Sequence, residues 1–230
     1  ERAQRILVRV REDGVRTMVD ATTFDLGREV DLLVEASRAS GVHIVAASGM
    51  WLAPSPAIQV RTTRQLADWF TADVTTGLDG TDVRAGIVKV ASETELTPME
   101  ERILEAAALA HAATGVPILT HSLARVRMGE RQAAVLERFG VDPGRVVIGH
   151  TDDATDMGYP LGLLDRGYLL GFDRLPNGRL PEYGTQTVEA RLDMLAALAG
   201  RGYADRIVLS HDDPIWAGVL SDEDQRRHIE

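Results

Sequence analysis

The stretch Pro117-Ile-Leu-Thr-His121 decides how this chain folds, and three others repeat its form. Each is a short, mostly apolar run that closes on a residue able to bind or support a metal ion. Ala85-Gly-Ile-Val-Lys89 ends on lysine, Arg145-Val-Val-Ile-Gly-His150 on histidine, and Arg206-Ile-Val-Leu-Ser-His-Asp212 on aspartate. Runs that are apolar almost throughout, rather than alternating, are the mark of strands covered on both faces in a parallel sheet. In a barrel of parallel strands all carboxyl ends meet on one face, where the chemistry is carried. Four polar residues at that one topological position predict a metal-dependent hydrolase site.

Working outward, β-branched runs alternate with longer helical patterns, as βα repeats do. Strands are predicted at Thr17–Thr22, His43–Ala47, Ala85–Val90, Pro117–His121, Val146–His150, Tyr168–Phe172 and Ile207–Ser210. Helices are predicted at Gly27–Ser40, Thr62–Gly77, Pro98–Thr114, Glu130–Phe139, Met157–Arg166 and Thr187–Ala199. Thr97-Pro98 followed by Glu100 and Glu101 reads as an N-cap, a proline at the first helical position and an acidic first turn. The pattern predicts an α/β TIM (β/α)8 barrel over residues 1–230 as one domain. Seven strands against the eight of a closed barrel, with an amphipathic helical pattern (Ile6, Leu7, Val10) ahead of the first, predict a fragment. Its first strand and last helix are then missing; an open seven-stranded sheet is the other reading.

Composition narrows the function classes. Hydrophobic residues make up 44% of the chain, ample for a core, and the net charge of −10 argues against a nucleic-acid partner. There is no cysteine, so neither disulfides nor thiolate metal sites are available. No apolar run approaches the roughly 20 residues of a membrane span. These features favour a soluble, cytoplasmic protein, while leaving room for a signal peptide ahead of the first residue.

A lone histidine is usually a satisfied structural group, but His121 and His150 hold equivalent positions on neighbouring strands, which points to ligands. Asp212 adds a hard oxygen donor, and zinc, cobalt or manganese accept such mixed nitrogen and oxygen sets. Lys89 has no lone pair to give while protonated. It is either one half of a salt bridge or a buried amine that loses its proton readily. The neutral amine adds carbon dioxide to form a carbamate, N6-carboxylysine, whose oxygens bridge two cations. His43, His111, His211 and His228 sit at a strand start, within a helix, on the outward side of a strand end and in the polar tail, and read as structural or solvated.

The runs Gly86-Ile-Val-Lys89-Val-Ala, Thr114-Gly-Val-Pro-Ile-Leu-Thr-His121-Ser and Val147-Ile-Gly-His150-Thr-Asp-Asp153 resemble bacterial phosphotriesterase, as do Gly171-Phe-Asp-Arg174 and Ile207-Val-Leu-Ser-His-Asp212. That family belongs to the amidohydrolase superfamily and includes phosphotriesterase-like lactonases. The resemblance implies a binuclear site for two divalent ions, zinc first and cobalt or manganese next, bridged by carboxylated Lys89. His121 and His150 would hold the more exposed ion and Asp212 the buried one. A bridging hydroxide would be the nucleophile, Asp212 would take its proton, and Asp153 with the residue at Arg174 would match the pair that passes it outward. Trp51 matches an aromatic on the substrate wall; loop packing is the other account of it. The implied substrates are small phosphotriesters (organophosphates), lactones or other esters, and the implied assembly is a homodimer.

The chain departs from the family pattern in three places. The His-x-His pair that completes the buried metal site is absent. Arg174 stands where phosphotriesterase has histidine, and the lactonase branch carries arginine there. Asp213 and Pro214 follow the metal aspartate where relatives place an aromatic. A non-catalytic ligand-binding member of the same family is therefore the rival expectation, and metal analysis separates the two.

Overall fold

The computed structural model describes residues 2–52, 54–175 and 186–212. Seven parallel strands follow one another in sequence order across a single sheet. They are β1 (Thr17–Asp20), β2 (His43–Gly49), β3 (Ile87–Ala91), β4 (Ile118–His121), β5 (Val146–Ile148), β6 (Leu169–Phe172) and β7 (Ile207–Leu209). The helices are α1 (Arg2–Glu12), α2 (Val30–Ser40), the single turn α3 (Pro56–Gln59), α4 (Thr63–Thr75), α5 (Pro98–Thr114), α6 (Met128–Arg138), α7 (Gly158–Asp165) and α8 (Val188–Leu198). Neighbouring strands joined through helices give a curled, partial (β/α)8 barrel.

Local chemistry explains the elements. Thr97 accepts from the Glu100 backbone N–H at 3.2 Å while the Glu100 carboxylate accepts from the Thr97 N–H at 2.8 Å, a reciprocal cap that starts α5. Thr62 and Gln65 do the same for α4. The faces these helices turn inward are Leu66 and Phe70 on α4 and Ile103, Leu104, Ala107 and Ala110 on α5. The alanines let the two helices and the sheet approach closely. The main cluster joins them to Val88, Val90, Ile118, Ile148 and Leu170 from the strands and to Tyr168 just ahead of β6. Each such aliphatic side chain contributes about 1.5–3 kcal/mol when fully buried.

Each predicted element is found, with shifts at its ends, and the single turn α3 is one the sequence pattern did not predict. β1 stops at Asp20 and β5 at Ile148, each short of the predicted run, while β2 continues to Gly49. β1 and β7 do not pair with each other among the described residues. Val19 on β1 and Val208 and Leu209 on β7 are exposed at these two edges.

Candidate active site

The strand ends converge as the parallel arrangement requires. Lys89 lies within β3 and His121 is the last residue of β4, with Lys89 in register with Leu119 and Ala91 with His121. Gly49 makes room on the other side: a Cβ there would fall 1.9 Å from the Lys89 carbonyl oxygen, and its φ of 104° is closed to most side chains. His150 and Asp212 stand past their strands rather than in them. His150 has φ 59° and Asp212 φ 46°, left-handed values that only a few per cent of non-glycine residues adopt. The His150 turn is held by its own backbone N–H, which donates to the Asp173 carboxylate at 3.0 Å.

The centre of the site is a pair of facing imidazoles. His150 Nε2 lies 2.8 Å from His121 Nδ1, and both rings are buried. His150 Nδ1 lies 2.7 Å from Asp173 Oδ1 and so donates to that carboxylate, leaving Nε2 with a lone pair aimed at His121. Burial, followed by the neighbouring His150, Lys89 and Arg174, holds the His121 pKa well below the ordinary range, so this ring is neutral. His121 Nε2 is buried without a hydrogen-bond partner, 3.8 Å from Glu93 Oε1. The tautomer that carries its proton on Nε2, toward Glu93, places a second lone pair on Nδ1. At 2.8 Å the two nitrogens are at the spacing of an N–H···N bond, His121 Nδ1 donating to His150 Nε2; in the other His121 tautomer both nitrogens offer lone pairs to one cation.

Asp173 is the residue that the sequence reading missed. It sits inside the quoted Gly171-Phe-Asp-Arg174 run, next to Arg174, yet carried no role. Burial raises its pKa, but the His150 ring and Lys89 outweigh that and hold the carboxyl below its usual range. Gly171 admits it, since a Cβ there would lie 2.6 Å from Asp173 Oδ2.

Around this pair the other expected residues are brought together to different degrees. The Trp51 ring meets the His121 ring edge to face at 4.6 Å between centroids, and the Lys89 Nζ lies 5.9 Å from the Trp51 centroid. The Trp51 backbone N–H is held by Asp25 at 3.0 Å. Burial lowers the Lys89 pKa to about 8, against the attraction of Asp173 and Asp212. Asp212 stands farther off and half exposed, its Oδ2 4.0 Å from His150 Nδ1 and 3.6 Å from Arg174 Nε. Arg174 and Asp153 are buried and joined at 2.6 Å, so the two residues expected to act together do touch.

Of the control histidines, His43 opens β2 and is exposed, and His111 Nδ1 lies 2.8 Å from the Val116 carbonyl beyond the end of α5. His211 is exposed. His228, Asp213 and Pro214 lie outside the described residues. A separate cleft of about 500 Å³, lined by Phe24, Arg28, Asp79 and Thr81, lies apart from these residues, and its Arg28 is engaged by Asp79 at 2.9 Å.

Among the described residues no three His, Cys, Asp or Glu side chains form a complete metal site. The donors present nevertheless fit such a group in kind. They comprise two buried imidazoles whose Nδ1 and Nε2 face each other at 2.8 Å, a carboxylate bonded to the far nitrogen of one of them, and a buried lysine with a lowered pKa.

Parallel strands with their polar residues gathered at the carboxyl ends define a barrel whose chemistry sits on one face. The phosphotriesterase family profile matches residues 2–227, and the chain belongs to that family. Members of the family typically depend on a binuclear metal centre. A phosphotriesterase homology protein of Mycobacterium tuberculosis is 36% identical over 223 residues, covering 91% of this chain and 66% of its own length. An aryldialkylphosphatase of Saccharolobus solfataricus is 35% identical over 210 residues, covering 89% and 64%. An N-acetyltaurine hydrolase of Danio rerio is 28% identical over 221 residues, covering 88% and 60%. The chain thus spans about two thirds or less of the length of these relatives. No helix among the described residues is long and apolar enough to cross a membrane.

Proposed function

We propose that this chain forms one barrel unit of a binuclear metal-dependent hydrolase acting on small esters. His121 and His150 would hold one ion through Nδ1 and Nε2, and Lys89, as its carbon dioxide adduct, would bridge to a second held by Asp212. The ions, zinc first by this nitrogen and oxygen donor set, would supply a Lewis acid and a water acidified to near neutrality. The observation that carries this reading is the 2.8 Å approach of His150 Nε2 to His121 Nδ1, with Asp173 holding the His150 proton on the opposite nitrogen.

The chain's own residues supply the rest. Asp212, half exposed and 3.6 Å from Arg174 Nε, would accept the proton of the attacking water. Arg174 is permanently charged and paired with Asp153, so it does not relay that proton. Its fixed N–H donors suit the oxygen of a carbonyl or phosphoryl group. Trp51, against the His121 ring, forms an apolar wall for the rest of the substrate.

Arg174 supports lactone or ester substrates, and the aryldialkylphosphatase relative supports phosphotriesters. Turnover of paraoxon and of an acyl-homoserine lactone by the full-length, zinc-loaded protein tests both. A chelator-sensitive rate on either supports the reading; no metal-dependent rate on these or other small esters removes it.

A further inference from the structure

Behind the site lies a buried cluster of two arginines and two aspartates. Asp153 shares its two oxygens between two guanidinium groups: Oδ2 accepts from Arg174 Nη1 at 2.6 Å, and Oδ1 accepts from Arg191 Nη2 at 2.6 Å. Arg191 also donates from Nη1 to the backbone carbonyl of Arg174 at 2.8 Å. Its Nε is 3.7 Å from Asp152 Oδ2, the atom that accepts from the Arg174 backbone N–H at 3.0 Å. Arg191 thus touches Arg174 through the backbone carbonyl and through Asp153. It comes from the first turns of α8, where Thr187 caps the helix, and it is 1% exposed, on one buried stripe with Met194 and Leu198.

A charged side chain on the inward stripe of a helix is costly unless its donors are used. Here the planar fork is spent on two acceptors that both determine where Arg174 stands. A lysine, with one point of charge, cannot span the same pair in that geometry. We infer that Arg191 is a positioning residue, which locks the Arg174 guanidinium in the site through Asp153 and the Arg174 carbonyl. This deepens the reading of Arg174 as a substrate-facing donor and rests on it. Arg191 itself touches no substrate.

The test uses the full-length protein carrying Arg191→Lys or Arg191→Gln, each alone and combined with Arg174→Met. On whichever of paraoxon and the acyl-homoserine lactone the wild type turns over, each single variant is expected to lower kcat/KM by about 10–100-fold, the range for lost outer-shell contacts. In the Arg174→Met background the same substitution should cost less than about twofold, because the group it positions is gone. A second readout needs no turnover: hydrogen exchange of the Arg174 guanidinium protons in ¹⁵N-arginine-labelled protein, expected to be faster in both single variants. If the wild type hydrolyses neither probe nor any other small ester, the hydrolase assignment fails while the exchange measurement still decides Arg191. Equal losses in both backgrounds, unchanged Arg174 exchange, or collapse of the fold in both variants would assign Arg191 to stability alone and overturn the inference.

Discussion

Asp173→Asn is the substitution that bears most directly on the metal reading. The carboxylate accepts the His150 Nδ1 proton at 2.7 Å and the His150 backbone N–H at 3.0 Å. Hydrogen bonds to a charged group contribute about 1.5–3 kcal/mol each, roughly twice a neutral bond. Asparagine keeps one amide oxygen to accept, so the loss is the charge-assisted part of these bonds, about 2 kcal/mol in all. At about 1.4 kcal/mol per tenfold, that is a weakening of metal binding by about 30-fold, inside the 10–100-fold range for outer-shell ligand partners. The assay is zinc affinity of the full-length protein, measured by competition against a chelator at fixed pH. Gly171→Ala should act in the same direction, because its Cβ would meet Asp173 Oδ2 at 2.6 Å. If His150→Ala abolishes zinc binding while Asp173→Asn changes it by less than about twofold, the tautomer argument is wrong.

Other consequences follow from the buried charges and close contacts. A base whose folded pKa is lowered costs stability at pH values below it and recovers that cost as pH rises toward its unfolded value. With the Lys89 pKa moved from 10.5 to about 8, the metal-free protein carries a cost on the order of 3 kcal/mol at pH 7, lost progressively between about 8 and 10.5. Lys89→Met should therefore stabilise the metal-free protein to urea at pH 7, less so above pH 9, while reducing zinc uptake. Burial raises the carboxyl pKa of Asp73, which accepts from Ser48 Oγ at 2.7 Å, so its ionised form costs stability above its folded pKa. Asp73→Asn is expected to raise the unfolding free energy at neutral pH and to give no gain below pH 4; a gain that persists in acid would contradict this. Gly49→Ala forces a Cβ to within 1.9 Å of the Lys89 carbonyl oxygen at a φ of 104°, and should cost about 3 kcal/mol or more in denaturant unfolding.

Strand and helix identity is encoded over a few neighbouring residues, and there the sequence sufficed. The apolar runs before Lys89 and His121 fix β3 and β4, and the Thr97–Glu100 cap with Pro98 fixes the start of α5. The parallel arrangement then follows, and with it the meeting of Lys89, His121 and His150 on one face. What escaped were pairings that depend on how strands register and the sheet curls. Asp173 reaches His150 across 23 residues, and Arg191 reaches Asp153 across 38. Arg191 left one faint trace, a charge on the stripe of α8 otherwise filled by Met194 and Leu198. Hydrophobic periodicity assigns a residue to a face, but not to a partner. The sequence thus determined which residues gather at the carboxyl side of the sheet, although of the four expected strand ends only His121 is one: Lys89 lies within β3, and His150 and Asp212 follow β5 and β7. Only the tertiary structure decided which carboxylate fixes the His150 proton, which arginine holds Arg174, and that the His121 and His150 rings meet nitrogen to nitrogen. These depend on distances of tenths of an ångström between elements far apart along the chain.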